Sequence, residues 1–125
     1  MTELDEKMNE IERALSALRI PATPGEYDLH ACIAGALTRA GIAYVHEAKI
    51  APWCRVDFLL GDVGIEVKKG YVAAGALRAQ ATKYLASGAL SALLIVTTKG
   101  ANLPATLKGK PVRVFGLNRL WGVAL

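Results

Sequence analysis

The stretch RVDFLLGDVGIEVKKG, residues 55–70, has the pattern of a β-hairpin and constrains the fold more than any other part of the chain. Gly61 and Asp62 suit a two-residue loop, because glycine readily adopts the positive φ at the first position of a type II′ turn. Such a loop places residue 60 opposite 63, 58 opposite 65, 57 opposite 66 and 56 opposite 67. A four-residue loop keeps the same side chains on the same face, so the predicted faces do not depend on the turn type.

The two faces of this predicted hairpin differ in their chemistry. One face is wholly apolar and consists of Val56, Phe58, Leu60, Val63, Ile65 and Val67. The other face carries the charges and consists of Asp57, Leu59, Gly64, Glu66 and Lys68. This second face suits an ion-binding site, but it also fits an exposed polar surface with a cross-strand salt bridge, which antiparallel sheets commonly have.

Asp57 and Glu66 are predicted neighbours, and two adjacent carboxylates repel each other unless a cation lies between them. Hard oxygen ligands in small number favour Mg²⁺ or Mn²⁺, which keep several water ligands and bind substrate phosphates. Lys68 points to the same side, where a lysine can orient or deprotonate an attacking water or neutralise developing charge. The hairpin therefore predicts a divalent-metal site for phosphate chemistry.

Helical and strand patterns alternate along the rest of the chain. A heptad stripe predicts a first helix, which the segment IPATPG ends. A second helix begins after Thr23 and ends at Gly41, and a third lies within residues 73–88. Strands are predicted at 43–49, 55–60, 63–69, 91–98 and 111–117, the last of them at a sheet edge. The order α, α, β, β, β, α, β, β predicts an α/β fold around a mixed sheet.

The first helix, within residues 1–19, has apolar residues at heptad spacing, namely Leu4, Met8, Ile11, Leu15 and Leu18. About two and a half heptads are too few for a stable free coiled coil, so the stripe must pack on its own domain or pair with a second copy. We expect a homodimer through this helix. Residues 20–125 then form the domain that carries the site.

Charge is unevenly distributed along the 125 residues, whose formal net charge is +4. Residues 1–30 hold seven acidic and three basic side chains, whereas residues 71–125 hold seven basic and no acidic ones. A basic half without carboxylates suits a polyanion such as nucleic acid. No apolar run is long enough to cross a bilayer and the acidic start lacks an export pattern, so we expect a cytoplasmic protein without membrane contact. Cys32 and Cys54 lack metal-site spacing and are expected to be inert thiols.

The pattern of Asp57 followed by Glu66-Val67-Lys68 on a hairpin resembles the PD-(D/E)XK nuclease superfamily. The resemblance extends over residues 25–98 in the order αβββαβ, and the segment LRAQATKYL strengthens it. In the exonuclease-type and Holliday-junction-resolvase-like branch, a glutamine on the helix after the hairpin and a tyrosine four residues later border the active site. Gln80 and Tyr84 match this spacing. Val56 stands where the family usually has a proline. The resemblance implies a restriction-endonuclease-like α/β core, with a mixed central sheet flanked by helices.

The resemblance also implies roles for individual residues of the hairpin and the third helix. Asp57, Glu66 and the backbone carbonyl of Val67 would bind Mg²⁺ or Mn²⁺. Lys68 would be the catalytic lysine, and Gln80 would position either this lysine or the phosphate.

Further site residues are expected outside this group. The family uses a glutamate of its first core helix as a metal ligand; Glu26 matches it, although Glu26 also fits a local helix-capping role, and Glu47 is the alternative. His30 lies one turn beyond Glu26 and can face the same cleft, whereas His46 is expected to face away. Phosphate contacts are expected from Arg55, Lys69, Arg78, Lys83 and Tyr84.

These observations predict a metal-dependent nuclease that hydrolyses phosphodiester bonds in DNA, which the resemblance favours over RNA. The chain leaves little room for a separate base-reading module, so we expect selectivity for DNA structure or ends, on branched or single-stranded DNA. Its compactness is similar to that of nucleases from phages and mobile elements. Two alternatives stay open: a non-catalytic nucleic-acid-binding subunit with a nuclease-like fold, and a restriction-type endonuclease that needs a specificity partner. No glycine-rich phosphate motif indicates an organic cofactor.

Overall fold

The computed structural model describes residues 2–18 and 26–117. Within these residues the chain is an α/β protein with three helices and a mixed six-stranded sheet. The helices are α1 (Glu3–Leu15), α2 (Glu26–Arg39) and α3 (Ala74–Leu85). The strands are β1 (Val45–Ala51), β2 (Cys54–Leu60), β3 (Val63–Lys68), β4 (Ala92–Thr97), β5 (Thr106–Leu107) and β6 (Lys110–Gly116). The predicted element order is confirmed, apart from the short β5.

The strands lie in the order β1-β2-β3-β4-β6-β5. β1, β2 and β3 are antiparallel neighbours, whereas β3, β4 and β6 run parallel. The parallel pair β3 and β4 is joined by α3, since parallel neighbours need a crossover connection. The sequence predicts β6 at the sheet edge, but β5 pairs with its first two residues, Lys110 and Pro111. All six residues of β4 are buried, as expected for a strand covered on both faces.

Helices cover both faces of the sheet. α1 and α2 pack on one face, where their apolar stripes meet Phe58, Leu60 and Ile65. α3 packs on the other face through the predicted set Leu77, Ala81, Tyr84 and Leu85. The candidate site lies at the C-terminal end of β3, where the chain leads into α3.

Local sequence signals explain the helix ends. Thr2 caps α1, since its hydroxyl accepts from the Asp5 amide at 3.0 Å and the Asp5 carboxylate accepts from the Thr2 amide at 3.1 Å. α2 ends at Arg39, and the predicted stop, Gly41, follows two residues later with a φ of 73°. The Ile42 amide donates to the Leu37 carbonyl at 2.9 Å, which completes a Schellman motif. The predicted cap of α2, Thr23, lies in residues 19–25, outside the described part of the chain.

The hairpin of β2 and β3 has the predicted register near its loop. Gly61 has a φ of 65°, and the pairs 60 with 63, 59 with 64 and 58 with 65 form. Five of the six expected apolar side chains pack on the face covered by α1 and α2, namely Phe58, Leu60, Val63, Ile65 and Val67. Val56 is the exception and packs with the α3 cluster, so its predicted face is wrong.

The alternation fails where Asp57 lies across from Glu47. β1 and β2 pair His46 with Phe58 and Ala48 with Val56, so Glu47 stands at the position opposite Asp57. Glu47 has a φ of 53°, a left-handed conformation that breaks the two-residue alternation of a strand. On β1, His46 thus lies against Phe58 while Ala48 packs with the α3 cluster. β2 changes face at the same level, since Phe58 packs with the α2 cluster and Val56 with the α3 cluster.

Candidate active site

The two carboxylates of the hairpin lie between β2 and β3, where the backbone ladder of the two strands stops. Asp57 Oδ2 accepts a hydrogen bond from the Val67 amide at 2.8 Å. Glu66 Oε1 lies 3.3 Å from the Asp57 amide, which donates to it. Side-chain oxygens thus take the place of backbone carbonyls as acceptors, and this exchange brings both carboxylates to one gap between neighbouring strands.

Glu66 is the centre of a polar cluster that reaches α3. Its side chain is buried, and its Oε2 lies 3.3 Å from Lys68 Nζ and 3.3 Å from Gln80 Nε2. Gln80 Nε2 also donates to the Tyr84 hydroxyl at 2.8 Å. Residues 80 and 84 meet because side chains four apart lie on one helix face. The structure therefore brings together Asp57, Glu66, Lys68 and Gln80, all four predicted catalytic side chains.

The electrostatics of this cluster oppose ionisation of Glu66. Burial, and secondly the charge of Asp57, raise the pKa of Glu66 to about 7, although Lys68 and Tyr84 act in the opposite direction. Burial and the nearby Glu66 also raise the pKa of the Tyr84 hydroxyl, which stays a neutral hydrogen-bonding group. A carboxylate held in this way gains stability from any cation that binds beside it.

Two histidines lie on the α2 side of Asp57. His30 Nε2 is 3.7 Å from Asp57 Oδ2, so His30 does face the cleft. His46 was expected to face away, but its Nε2 lies 2.8 Å from His30 Nδ1 and its ring stacks on Phe58 with centroids 4.7 Å apart. The left-handed conformation of Glu47 interrupts the alternation from which that expectation came. His46 therefore supports His30 rather than pointing away from it.

A third acidic ligand, which the family resemblance implies, is not found among the side chains that the structure describes. Glu26 is the first residue of α2, but its side chain lies outside the described part of the chain. Glu47 is exposed, and within residues 2–18 and 26–117 no three His, Cys, Asp or Glu side chains converge to hold a metal. Asp57 and Glu66 still fit Mg²⁺ or Mn²⁺, because these ions keep several waters and need few carboxylates. Burial and, secondly, the charge of Asp57 raise the pKa of Glu66, and a cation between the two carboxylates would relieve their repulsion.

The expected phosphate-contacting residues divide into two groups. Arg55, Lys69, Arg78 and Lys83 are exposed, as a role at a nucleic-acid surface requires. Tyr84 is 6% exposed and is enclosed with Gln80 and Glu66, so its burial does not favour the nucleic-acid contact expected of it.

Two aromatic residues near the site were not predicted from the sequence. Trp53 immediately precedes β2 and Tyr71 follows β3 by three residues, and both are exposed. The available signal was the interleaving of aromatic and basic letters in PWCR and KKGY. Neither segment has a periodicity that reveals which side chains meet in space.

Comparison with protein-family models, with curated proteins and with solved structures found no match. In the described residues, no helix is both long enough and apolar enough to span a bilayer.

Proposed function

We propose that this chain is a metal-dependent nuclease that hydrolyses phosphodiester bonds in DNA. The observation that carries the proposal is the pair Asp57 and Glu66 in the gap between β2 and β3, with Lys68 Nζ 3.3 Å from Glu66 Oε2. The order α2-β1-β2-β3-α3-β4 around this gap supports a restriction-endonuclease-like core of the PD-(D/E)XK type. Gln80 and Tyr84 on α3 support the exonuclease-type and resolvase-like branch.

A divalent metal ion bound at this site would polarise the scissile phosphate and lower the pKa of an attacking water. Asp57 and Glu66 are the side chains that would hold it, with the Val67 carbonyl as a further ligand. The Val67 amide orients Asp57, while the Asp57 amide and Gln80 orient Glu66. Both carboxylates are thereby fixed before substrate binds, which removes a reorganisation cost from the reaction.

Lys68 supplies the positive charge of the site. Its ammonium pairs with Glu66 Oε2, and its side chain is 23% exposed, so it can also reach a bound phosphate. In that position it can orient the attacking water or neutralise the charge that develops on the phosphate. Because Gln80 contacts the same carboxylate oxygen, loss of either residue lets Glu66 move.

The surroundings of the site favour recognition of DNA shape or ends. The cations Arg55, Lys69, Arg78 and Lys83 are exposed on or directly after the elements β2, β3 and α3 that carry the candidate site, and they can bind phosphates without reading bases. DNA rather than RNA is proposed because of the family resemblance. Branched or single-stranded DNA is the substrate class, since no separate base-reading domain accompanies the core within the described residues.

The test is incubation of the pure protein with labelled junction, flap, single-stranded and blunt duplex DNA, with Mg²⁺, with Mn²⁺ and with EDTA. Metal-dependent cleavage is expected, and Lys68→Ala is expected to lower its rate by about 10²-fold or more. Lys99→Ala is the matched control, because Lys99 is exposed and its side chain lies outside the Glu66 cluster. Metal-independent binding without any cleavage would instead support the non-catalytic nucleic-acid-binding subunit.

A further inference from the structure

Two aromatic rings project at the end of the sheet that carries the candidate site. Trp53 is 52% exposed and Tyr71 is 87% exposed. β2 and β3 are antiparallel, so the start of β2, which follows Trp53, and the end of β3, which precedes Tyr71, lie at the same end of the sheet. Val45 is the other large apolar side chain that the described residues leave exposed. The exposed aromatic rings thus lie at the end of the sheet where β3 ends in Lys68.

Trp53 is connected to the Glu66 cluster through α3. Lys83 Nζ lies 5.4 Å from the centroid of the Trp53 ring, which is the geometry of a cation–π contact. Lys83 follows Gln80 by three residues, and side chains three apart are neighbours on a helix. The Trp53 ring therefore contacts a lysine that follows, by one helix turn, the glutamine that holds Glu66.

Folding does not account for a tryptophan at this position. Pro52 and Trp53 form the two-residue loop that joins β1 to β2, because Ala51 pairs with Cys54. Tight loops favour Gly, Asn, Asp, Pro and Ser, whereas a half-exposed indole forgoes much of the burial that makes tryptophan stabilising. A single exposed apolar residue is ordinary. Two aromatic residues beside one cluster of cations are a more specific arrangement.

The exposed charged side chains within two residues of these rings, and the lysine that contacts Trp53, are all basic. Arg55, Lys69 and Lys83 are exposed, and the sequence contains no Asp or Glu from residue 67 to residue 125. Such a surface attracts phosphates, while exposed rings stack on bases. In a duplex the base faces are already stacked on one another, so only unpaired nucleotides can offer both groups together.

We propose that Trp53 and Tyr71 are base-stacking residues that bind single-stranded DNA, with its phosphates on Arg55, Lys69 and Lys83, and lead the unpaired strand to the candidate site. This inference identifies the substrate of the proposed nuclease and depends on that function for its catalytic consequence. The binding step itself does not depend on cleavage. The two can therefore be tested separately.

Binding is measured in EDTA, where no metal-dependent cleavage occurs, by titrating short oligo-dT or a duplex of equal length into the protein. The chain has two tryptophans, so a Trp121→Phe background assigns the fluorescence to Trp53. Oligo-dT is expected to quench this fluorescence and to bind more tightly than the duplex. Stacking of one base on one ring predicts that Trp53→Ala and Tyr71→Ala each weaken oligo-dT binding by roughly 5- to 100-fold.

The controls separate stacking from loss of structure and from charge. Trp53→Phe keeps a ring and is expected to retain most of the affinity, while Val45→Ala, which removes exposed apolar surface without an aromatic ring, is expected to leave it unchanged. Lys83→Ala is expected to reduce the slope of log affinity against log salt by about 0.7 for a single strand. Unquenched fluorescence at saturating oligo-dT, or equal affinities for oligo-dT and duplex, would overturn the inference. Either result leaves cleavage of duplex substrates by the proposed nuclease still measurable.

Discussion

Glu66 is a carboxylate in surroundings that oppose its charge. Burial and Asp57 raise its pKa, while Lys68 and the Tyr84 hydroxyl limit the increase. Native proteins retain such a group when it serves a function, because a neutral residue in the same place would cost less. At the scale of single residues, the proposed function therefore explains why the chain keeps a carboxylate at a position that costs it stability.

This interpretation predicts how stability depends on pH. The pKa of Glu66 is about 7 in the folded protein and 4.5 as the ordinary value, so the folded state binds the proton more tightly. The stability that Glu66 contributes is complete below about pH 4.5 and is lost as the pH rises through about 7. The glutamine of Glu66→Gln cannot ionise, so this variant does not lose stability as the pH rises through about 7. In EDTA its free energy of unfolding should exceed that of the wild type at pH 8 by up to about 3 kcal/mol, and the excess should shrink toward pH 5.

Denaturant unfolding of both proteins between about pH 5 and 8 measures the difference. Asp62→Asn is the control. Its hydrogen bond to Ser91, followed by that to Lys7, lowers the pKa of Asp62, so Asp62 is ionised throughout this range and its variant should show no such slope. A constant difference between the wild type and Glu66→Gln across the range would contradict a raised pKa of Glu66.

The residues of the site were predictable to different degrees. Asp57, Glu66 and Lys68 could be placed together because the hairpin has a recognisable loop and a two-residue periodicity. The contact between His46 and His30 could not be foreseen, because glutamate rarely adopts the left-handed conformation of Glu47 and the sequence gives no signal of this break in β1. Trp53 and Tyr71 were missed because their proximity is a property of the sheet and not of either segment.

The hairpin of β2 and β3 is the element on which the site depends. Gly61 sets its register with a φ of 65°, which an alanine adopts only with strain. The Cβ of an alanine at position 61 would also displace the Lys7 ammonium, since it would lie 2.6 Å from Lys7 Nζ. Lys7 is flexible and can move, so most of the cost is in the backbone.

Gly61→Ala should therefore lower the free energy of unfolding by roughly 1–2 kcal/mol. Gly75→Ala is the matched control, because Gly75 lies in the first turn of α3 and an added Cβ would meet nothing within 4 Å. It should stabilise the protein by up to about 1 kcal/mol, since alanine is the better helix former. Thermal or denaturant unfolding of both variants decides the point. Equal effects of the two substitutions would show that the loop does not need a positive φ.

Sequence patterns located most elements but not their irregularities. The periodicities of α1, α3 and β4 and the glycine at the end of α2 predicted these elements closely. β1 begins two residues later than predicted, at Val45, and β5 was missed, because two residues carry no periodicity. The sequence around Val56 does not indicate that this side chain faces α3, since valine suits either buried face of the sheet.

At the scale of the whole molecule, α1 belongs to the same core as the sheet. Met8, Ile11 and Leu15 are at most 1% exposed and pack with α2 and β3, so the apolar stripe is covered by its own chain. Arg113 on β6 adds polar contacts, since its guanidinium lies 2.7 Å from Glu12 and 3.4 Å from Asp5 on α1. A homodimer through α1 stays a prediction, and it would have to use other faces of the helix. Sedimentation of the full chain measures it.

Removal of part of this stripe should destabilise the entire domain. Leu15→Ala leaves a cavity under a fully buried position and is expected to lower the free energy of unfolding by about 2–5 kcal/mol. Glu10→Ala, on the exposed side of the same helix, should change it by less than about 0.5 kcal/mol. Denaturant unfolding followed by circular dichroism gives both values. A small effect of Leu15→Ala would show that α1 is not part of the cooperative core.

The most direct measurement for the molecule as a whole is the rate of DNA cleavage in Mg²⁺ by two variants of the same hairpin. Asp57→Asn removes a carboxylate from the gap between β2 and β3, whereas Asp62→Asn removes an exposed one from the loop. We predict that Asp57→Asn lowers the rate by about 10²-fold or more while Asp62→Asn cleaves like the wild type. Equal rates for the two variants, or no cleavage of any DNA by the wild type, would contradict the assignment of Asp57 and Glu66 as a metal-dependent nuclease site.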